Sequence, residues 1–439
     1  AYEIGVRLVG SEMCIRDRYM ASWKESFAAY LQPRLFIILF LGFSSGLPFG
    51  MLIDPLNFWL SEEEISRSSI GLLSLITLTY PMKVAWSPFI DRLQIPLLSK
   101  SIGQRKSWLF LTQLIVSIAL IGMAITNPKD SLGILVIFAL LVAFFSATQD
   151  ICIDAMRIEL VEEKELGGAT AMYQAGWRIA FLVSQVATFF IASLFDWSSA
   201  YFCSAFLMFL VLITCFLKVP EPEREEDPYI SLTTKPVAWV FSSYVKPFFE
   251  IFNRLRDKIL LVLLLVITYR FSDLLLGPMA MPFYRETGFT KEEVAIITNA
   301  FGIIVTMSGA FLGGLLIYKY TIMKTMLIGA LLVAITNLFF AGLDVIGHNI
   351  AFLTLTISVD NLSQGLAGTA LIAYLSSLTN QNFTATQYAL LFSLAVIPGK
   401  LLASSSGFIV DSFGYFNFFI FASFMGIPAI YLALKLQRS

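Results

Sequence analysis

The stretch 145–157 reads FSATQDICIDAMR. It ends an apolar run that begins near Leu132, and its two aspartates, Asp150 and Asp154, stand one helical turn apart. A charge in hydrocarbon costs ~2.5–3.5 kcal/mol, so two of them persist in such a segment only beside partners or water. The composition says which kind of helix this is. Of the 439 residues, 57% are hydrophobic and only 14% charged, with a mean hydropathy of +0.77. Soluble chains keep about 25% charged residues. The chain therefore reads as an all-α polytopic membrane protein. Its net charge of −1 gives no reason to expect nucleic acid. Cys14, Cys152, Cys203 and Cys215 form no CxxC or Cys/His cluster, and His348 is the only histidine. No metal and no cofactor is expected from that pattern.

A hydrocarbon core of ~30 Å needs ~20 apolar residues per helix. On that measure twelve spans are expected, near 35–58, 70–91, 108–126, 131–154, 167–194, 198–218, 259–283, 293–317, 323–343, 350–377, 385–410 and 415–436. Alternate loops then hold nineteen Lys and Arg on one side and four on the other. The basic side is the cytoplasmic one by the positive-inside rule, which places both termini there. The longest linker, 219–258, lies on the same side. It opens with PEPEREED and continues as VAWVFSSYVKPFFEIFNRL, which suits an amphipathic helix on the membrane surface. Residues 1–19 have no apolar core and are unlike a signal peptide, while MCIRDR resembles a translated sequencing adapter. The natural chain is expected to start near Met20.

Weak echoes relate the halves 20–218 and 259–439. FDWSSAY (195–201) and FGYFNFF (413–419) each link the last two spans of a half, and GATAM (168–172) and TATQY (384–388) each open the preceding one. Two six-helix halves around a cytoplasmic linker is the plan of the major facilitator fold.

Intramembrane charges can be placed by depth. Arg178, Arg270 and Asp360 fall near midplanes, Asp360 beside Asn361 and Gln364; Lys83 lies in an inner half-span and Lys400 in an outer one. Some of the charges have plain structural readings. Asp154 and Arg157 can mark a helix end in water, Asp54 can be an exposed acid on the far side, and Arg270 and Asp273 can pair locally at i, i+3. Asp150, Arg178, Asp360, Lys83 and Lys400 instead suggest a watery central path. Buried carboxylates can carry protons and fixed cations can hold anionic solutes. That describes a proton-coupled carrier better than a channel with rings or filter loops. Glycines in GFSSGLPFG, GGLL and GLAGTA supply small surfaces for close helix contact.

Several segments, in order, resemble the AmpG family of muropeptide permeases within the major facilitator superfamily. They are LQPR, GFSSGLP, KVAWSPFIDR with GQRKSW, ATQDICIDA, GWRIA, YRFSDLLLGPMAMPF, DNLSQGLAGTA and FTATQYALLFSLAVIPGK, running from Gln32 to about Leu434. The resemblance implies a monomeric multi-pass carrier of the bacterial inner membrane, without enzyme activity. It would import N-acetylglucosaminyl-anhydromuramyl solutes from periplasm to cytoplasm with protons, for cell-wall recycling. It implies that Asp150 is the essential acid, with Asp273 and Asp360 as further proton-coupling candidates. Lys83, Arg178, Arg270, Asn361, Gln364 and Lys400 would contact solute, and Asp91, Arg92 and Asp154 would gate. Asp360 stands where a glutamate is expected and Lys400 where an arginine is, which alters reach and removes the planar fork. Related branches carry other bulky solutes such as acetyl-CoA, and a non-transporting assembly factor can share the fold. A membrane enzyme acting on a lipid-linked sugar would need a nucleophile or metal cluster at one interface, and none is visible.

Overall fold

A computed structural model of the chain describes residues 30–65, 69, 73–222, 239 and 241–438. The expected adapter tail at 1–19 and linker residues 223–238 and 240 lie outside these residues. The principal helices are α1 Pro33–Met51, α2 Asp54–Glu62, α3 Gln104–Ile125, α4 Pro128–Glu159, α5 Leu166–Leu194 and α6 Trp197–Lys218. They continue as α7 Lys246–Leu255, α8 Ile259–Thr268, α9 Phe271–Glu286, α10 Gly302–Lys319, α11 Ile322–Ile346, α12 Ile350–Ser377, α13 Thr384–Ala403, α14 Ser406–Phe424 and α15 Ile427–Arg438.

Among the described residues, ten helical stretches are long and apolar enough to cross a membrane. The expected spans 70–91 and 350–377 are not among them, each for a physical reason. The first, only partly described, is broken into the 3₁₀ turns Ser74–Leu78 and Lys83–Ala85 and the short helices Thr79–Met82 and Ser87–Arg92. Pro81 and Pro88 each withdraw a backbone donor there, which disfavours a continuous α-helix. The second is one helix of 28 residues, but Asp360, Asn361, Ser363 and Gln364 make its middle polar. Other expected spans are bent. The first breaks at Leu52–Ile53 between α1 and α2, the seventh at Tyr269–Arg270 between α8 and α9, and the last two at Ser404–Ser405 and Met425–Gly426. The fourth runs on to Glu159, five residues beyond its expected end at 154.

Two groups of helices form. In the first, α1 packs on α5 and α3 packs on α4 and α6; in the second, α12 packs on α10 and α11, and α14 on α9 and α11. They meet along a seam made mainly by α5 with α10 and α12, and by α4 with α13. Helices in lipid gain no hydrophobic drive for association, so close backbone approach has to supply it. At Gly176 of α5 an added Cβ would lie 2.0 Å from the Leu39 carbonyl oxygen of α1, whereas at Gly133 of α4 nothing lies within 4 Å. Gly176→Ala should therefore lower the melting temperature in detergent by the equivalent of about 1–3 kcal/mol of overpacking. Gly133→Ala should leave it unchanged, and equal melting of the two variants would refute this account of the α1–α5 contact.

Candidate functional site

The polar side chains buried along the seam form layers, running from the end that carries the basic loops toward the middle. At that end, Ser87–Arg92 closes the broken second span and delivers a buried carboxylate, Asp91. Arg105, at the start of α3 and wholly buried, holds Asp91 at 2.7 Å and Glu159 of α4 at 2.8 Å. The other oxygen of Asp91 crosses the seam. It accepts from the backbone N–H of Thr386 at 2.7 Å and from its hydroxyl at 2.6 Å. These are first-turn donors of α13, which have no partner within their own helix, and the helix dipole favours an acid at that place. Arg92 donates to the Ser242 carbonyl at 3.2 Å and lies over the Phe383 ring. The backbone amides of Arg105 and Lys106 both donate to the Glu221 carboxylate at 2.9 Å, so the start of the linker caps α3.

Further along the linker, α7 has Phe248, Phe249 and Phe252 exposed on one side. Its Glu250 accepts from Gln387 at 2.6 Å and Asn380 at 3.1 Å, while Tyr244 just before α7 donates to the Ala85 carbonyl at 2.8 Å. The linker thus touches both helix groups.

One layer deeper, Lys83 and Asp154 pair at 2.8 Å, both buried. Arg157 donates to Thr170 at 2.9 Å and across the seam to Ser376 at 3.2 Å. Its guanidinium lies over the rings of Tyr173 and Tyr388. This corrects one expectation. Asp154 and Arg157 are not a helix end in water: Arg157 is fully buried, and α4 continues past both. Lys83, a candidate for solute contact, is paired with Asp154. Removing one member of a buried pair costs about 3–5 kcal/mol because the other is left uncompensated, so Asp154 has a structural duty that its place in the sequence did not suggest.

Asp150 comes next, nine residues before the end of α4, or ~13 Å of helix rise. Ser45 of α1 donates to it at 2.6 Å, and the Ser45 hydroxyl also lies 3.2 Å from that of Tyr173. Gln174 of α5 donates to Thr369 of α12 at 2.8 Å, across the seam.

At the middle, two guanidiniums approach from opposite groups. Arg178 of α5 is partly exposed and makes no hydrogen bond or ion pair among the described residues; it lies within electrostatic reach of Arg270. Arg270 sits at the break between α8 and α9 and pairs with Asp273, as the i, i+3 spacing allowed. Asp360 is buried, accepting from Thr336 at 3.1 Å and Gln364 at 2.7 Å. Asn361 lies beside Gly302 of α10. Lys400 is exposed in the last turn of α13 with no ion pair among the described residues, and Asp54 is exposed at the start of α2. Neither joins the central group.

Each of these cross-seam hydrogen bonds lies on the basic-loop side of Arg178, so the seam is tied shut at that end. Sequence reading missed Arg105, Glu159, Thr386 and Glu250 as parts of this closure. The only hint was the basic GQRK stretch after Asp91–Arg92, since partners so distant in sequence share no spacing.

Comparison with known proteins agrees with this architecture. The sequence model of the Major Facilitator Superfamily matches residues 34–400. Among rickettsial proteins named "Putative transporter AmpG", AmpG 4 of Rickettsia conorii is 33% identical over 408 residues, 92% of this chain and 96% of its own. AmpG 3 of Rickettsia prowazekii is 32% identical over 408 residues with the same coverage. Two solved structures share the fold at low identity. The proton:xylose symporter XylE superposes with a TM-score of 0.62 at 15% identity over 95% of this chain and 96% of its own. The human organic anion transporter MFSD10 does so with 0.65 at 14% identity, over 92% of this chain and all of its own. A helical bundle split by a charged seam, matched over most of its length by that superfamily and by AmpG-named relatives, belongs to the AmpG-type permeases of the major facilitator superfamily.

Proposed function

We propose that the protein is a proton-coupled carrier of anionic muropeptide solutes. It would take N-acetylglucosaminyl-anhydromuramyl molecules, with or without peptide, from the periplasm to the cytoplasm across the bacterial inner membrane, as a monomer. The basic loops and both termini would face the cytoplasm. The observation that carries this reading is Arg178, a mid-bundle guanidinium with no hydrogen bond or ion pair among the described residues, within electrostatic reach of Arg270 of the other helix group. An uncompensated cation at that depth is costly, and two that repel each other are costlier. A bound anion removes both penalties. The anhydromuramyl lactyl carboxylate, or the carboxylates of an attached peptide, meets that need, and the sugar body accounts for the size of solute the family name implies. With the basic end tied shut by Asp91–Thr386 and Arg157–Ser376, solute would enter from the opposite side.

Counterflow in proteoliposomes tests this. Vesicles loaded with N-acetylglucosaminyl-anhydromuramic acid should take up the labelled solute. The neutral disaccharide of N-acetylglucosamine should not exchange. Exchange of acetyl-CoA alone would favour the related-branch reading, and exchange of nothing in the panel would favour a non-transporting assembly factor.

A further inference from the structure

The Arg270–Asp273 pair differs from the other buried pairs in how its cation is held. Arg270 aims both Nε, at 2.9 Å, and Nη2 at the same oxygen of Asp273, Oδ2. A free carboxylate can take two parallel bonds from a guanidinium, one per oxygen, which is the stronger arrangement. The pair is also open: the Arg270 side chain is 34% exposed, against 0% for Arg105 and 9% for Lys83. Arg105 answers two carboxylates from its buried position, but Arg270 answers one and lies within electrostatic reach of Arg178 across the seam. An arriving anion would thus find a better-shaped partner in Arg270 than Asp273 is, with a second cation beside it.

The neighbours of Asp273 set the cost of separating it from Arg270. Asp360 of α12 lies within electrostatic reach of it. On α13, Lys400 is exposed and makes no ion pair among the described residues. Asp344 of α11 and Asp411 of α14 lie near Tyr415, at the far end of α9 where Glu286 stands. Tyr284 of α9 itself lies on the Asp360 side. Among the described residues, no cation other than Arg270 is placed to compensate Asp273. A carboxylate stripped of its cation beside another acid, in a partly buried place, is costly to keep ionised.

We propose that solute binding and proton uptake are coupled by partner exchange at Arg270. The anionic group of the solute displaces the Asp273 carboxylate from Arg270, and the freed Asp273 takes up one proton. The guanidinium trades one carboxylate for another. The solute brings one negative charge and the proton one positive charge, so the net charge of the site does not change. This step rests on the anion-carrier reading and adds to it the residue that links solute to proton. The step covers proton uptake on binding only; release of that proton toward the basic end would still run through Asp150.

The test is proton uptake on binding, measured in weakly buffered detergent solution with a pH indicator, using N-acetylglucosaminyl-anhydromuramic acid as the probe. Calorimetry in parallel gives the affinity. The wild-type protein should take up about one proton per solute bound, and its affinity should weaken as pH rises, by up to about tenfold per pH unit. Asp273→Asn cannot take the proton and holds Arg270 more weakly. It should bind the probe about tenfold tighter near neutral pH, with an affinity flat in pH and no uptake from this site. Asp273→Glu should restore both uptake and pH dependence, which a purely structural role would not predict. Binding by Asp273→Asn with wild-type uptake and pH dependence would overturn the exchange while leaving the carrier reading intact. Failure of the wild-type protein to bind the probe would overturn both.

Discussion

Asp150→Asn should abolish solute accumulation driven by a pH gradient while leaving solute exchange in place. The carboxylate lies deep in α4, held by a 2.6 Å bond from Ser45 and set off from the basic end by the Lys83–Asp154 pair and Arg157. An asparagine still accepts from Ser45 through its own oxygen, so the fold should persist. It behaves as a permanently protonated aspartate and cannot release a proton once the basic end opens, so the step that would make transport directional disappears. Proteoliposomes with an acid exterior should show the variant bringing solute to equal concentration on both sides, whereas wild type concentrates it. Counterflow at equal pH should be near wild type. Asp154→Asn should fail differently, by losing folded protein, because it strands Lys83 in a buried place. If Asp150→Asn still concentrates solute as wild type does, the coupling role passes to Asp273 or Asp360.

Arg178→Ala should give the opposite pattern: a stable protein with little transport. Nothing among the described residues pairs with Arg178, so its loss removes no internal bond and relieves the repulsion with Arg270. The melting temperature in detergent should be equal to wild type or higher. Solute binding should weaken about 10- to 100-fold, the range for losing a hydrogen bond to a charged group. Arg178→Lys should fall between, since an ammonium keeps the charge without the fork. Calorimetry and counterflow on the same preparations check both halves of the expectation. Normal affinity in the alanine variant would remove Arg178 from the solute site.

The pattern of apolar runs led to twelve expected spans, and ten of them are matched among the described residues by helical stretches long and apolar enough to cross a membrane, because helices in lipid must be apolar along their length. The two remaining cases are instructive. The span at 70–91 is interrupted by Pro81 and Pro88, and the helix Ile350–Ser377 is diluted by the polar run around Asp360. Both breaks in the apolar pattern fall on elements that bring charged residues to the seam, Asp91 and Lys83 in one, Asp360 and Gln364 in the other. The rule that reveals a span is weakest where the chain uses the span for chemistry.

Sequence by itself determined the class of the protein, its family and most of the charged residues that line the seam, because a charge in an apolar run is conspicuous against its cost. It also contained the local Arg270–Asp273 pair, since i, i+3 neighbours meet on any helix. Only the tertiary structure decided which charges are already satisfied and which are free. Asp154 and Lys83 are 71 positions apart and Asp91 and Thr386 are 295 apart, yet each is a pair in contact. No periodicity connects such positions; the packing of one helix group against the other does. That packing neutralises Lys83, Arg105 and Arg157 and leaves Arg178 without a partner, because no described acid is brought within bonding distance of it.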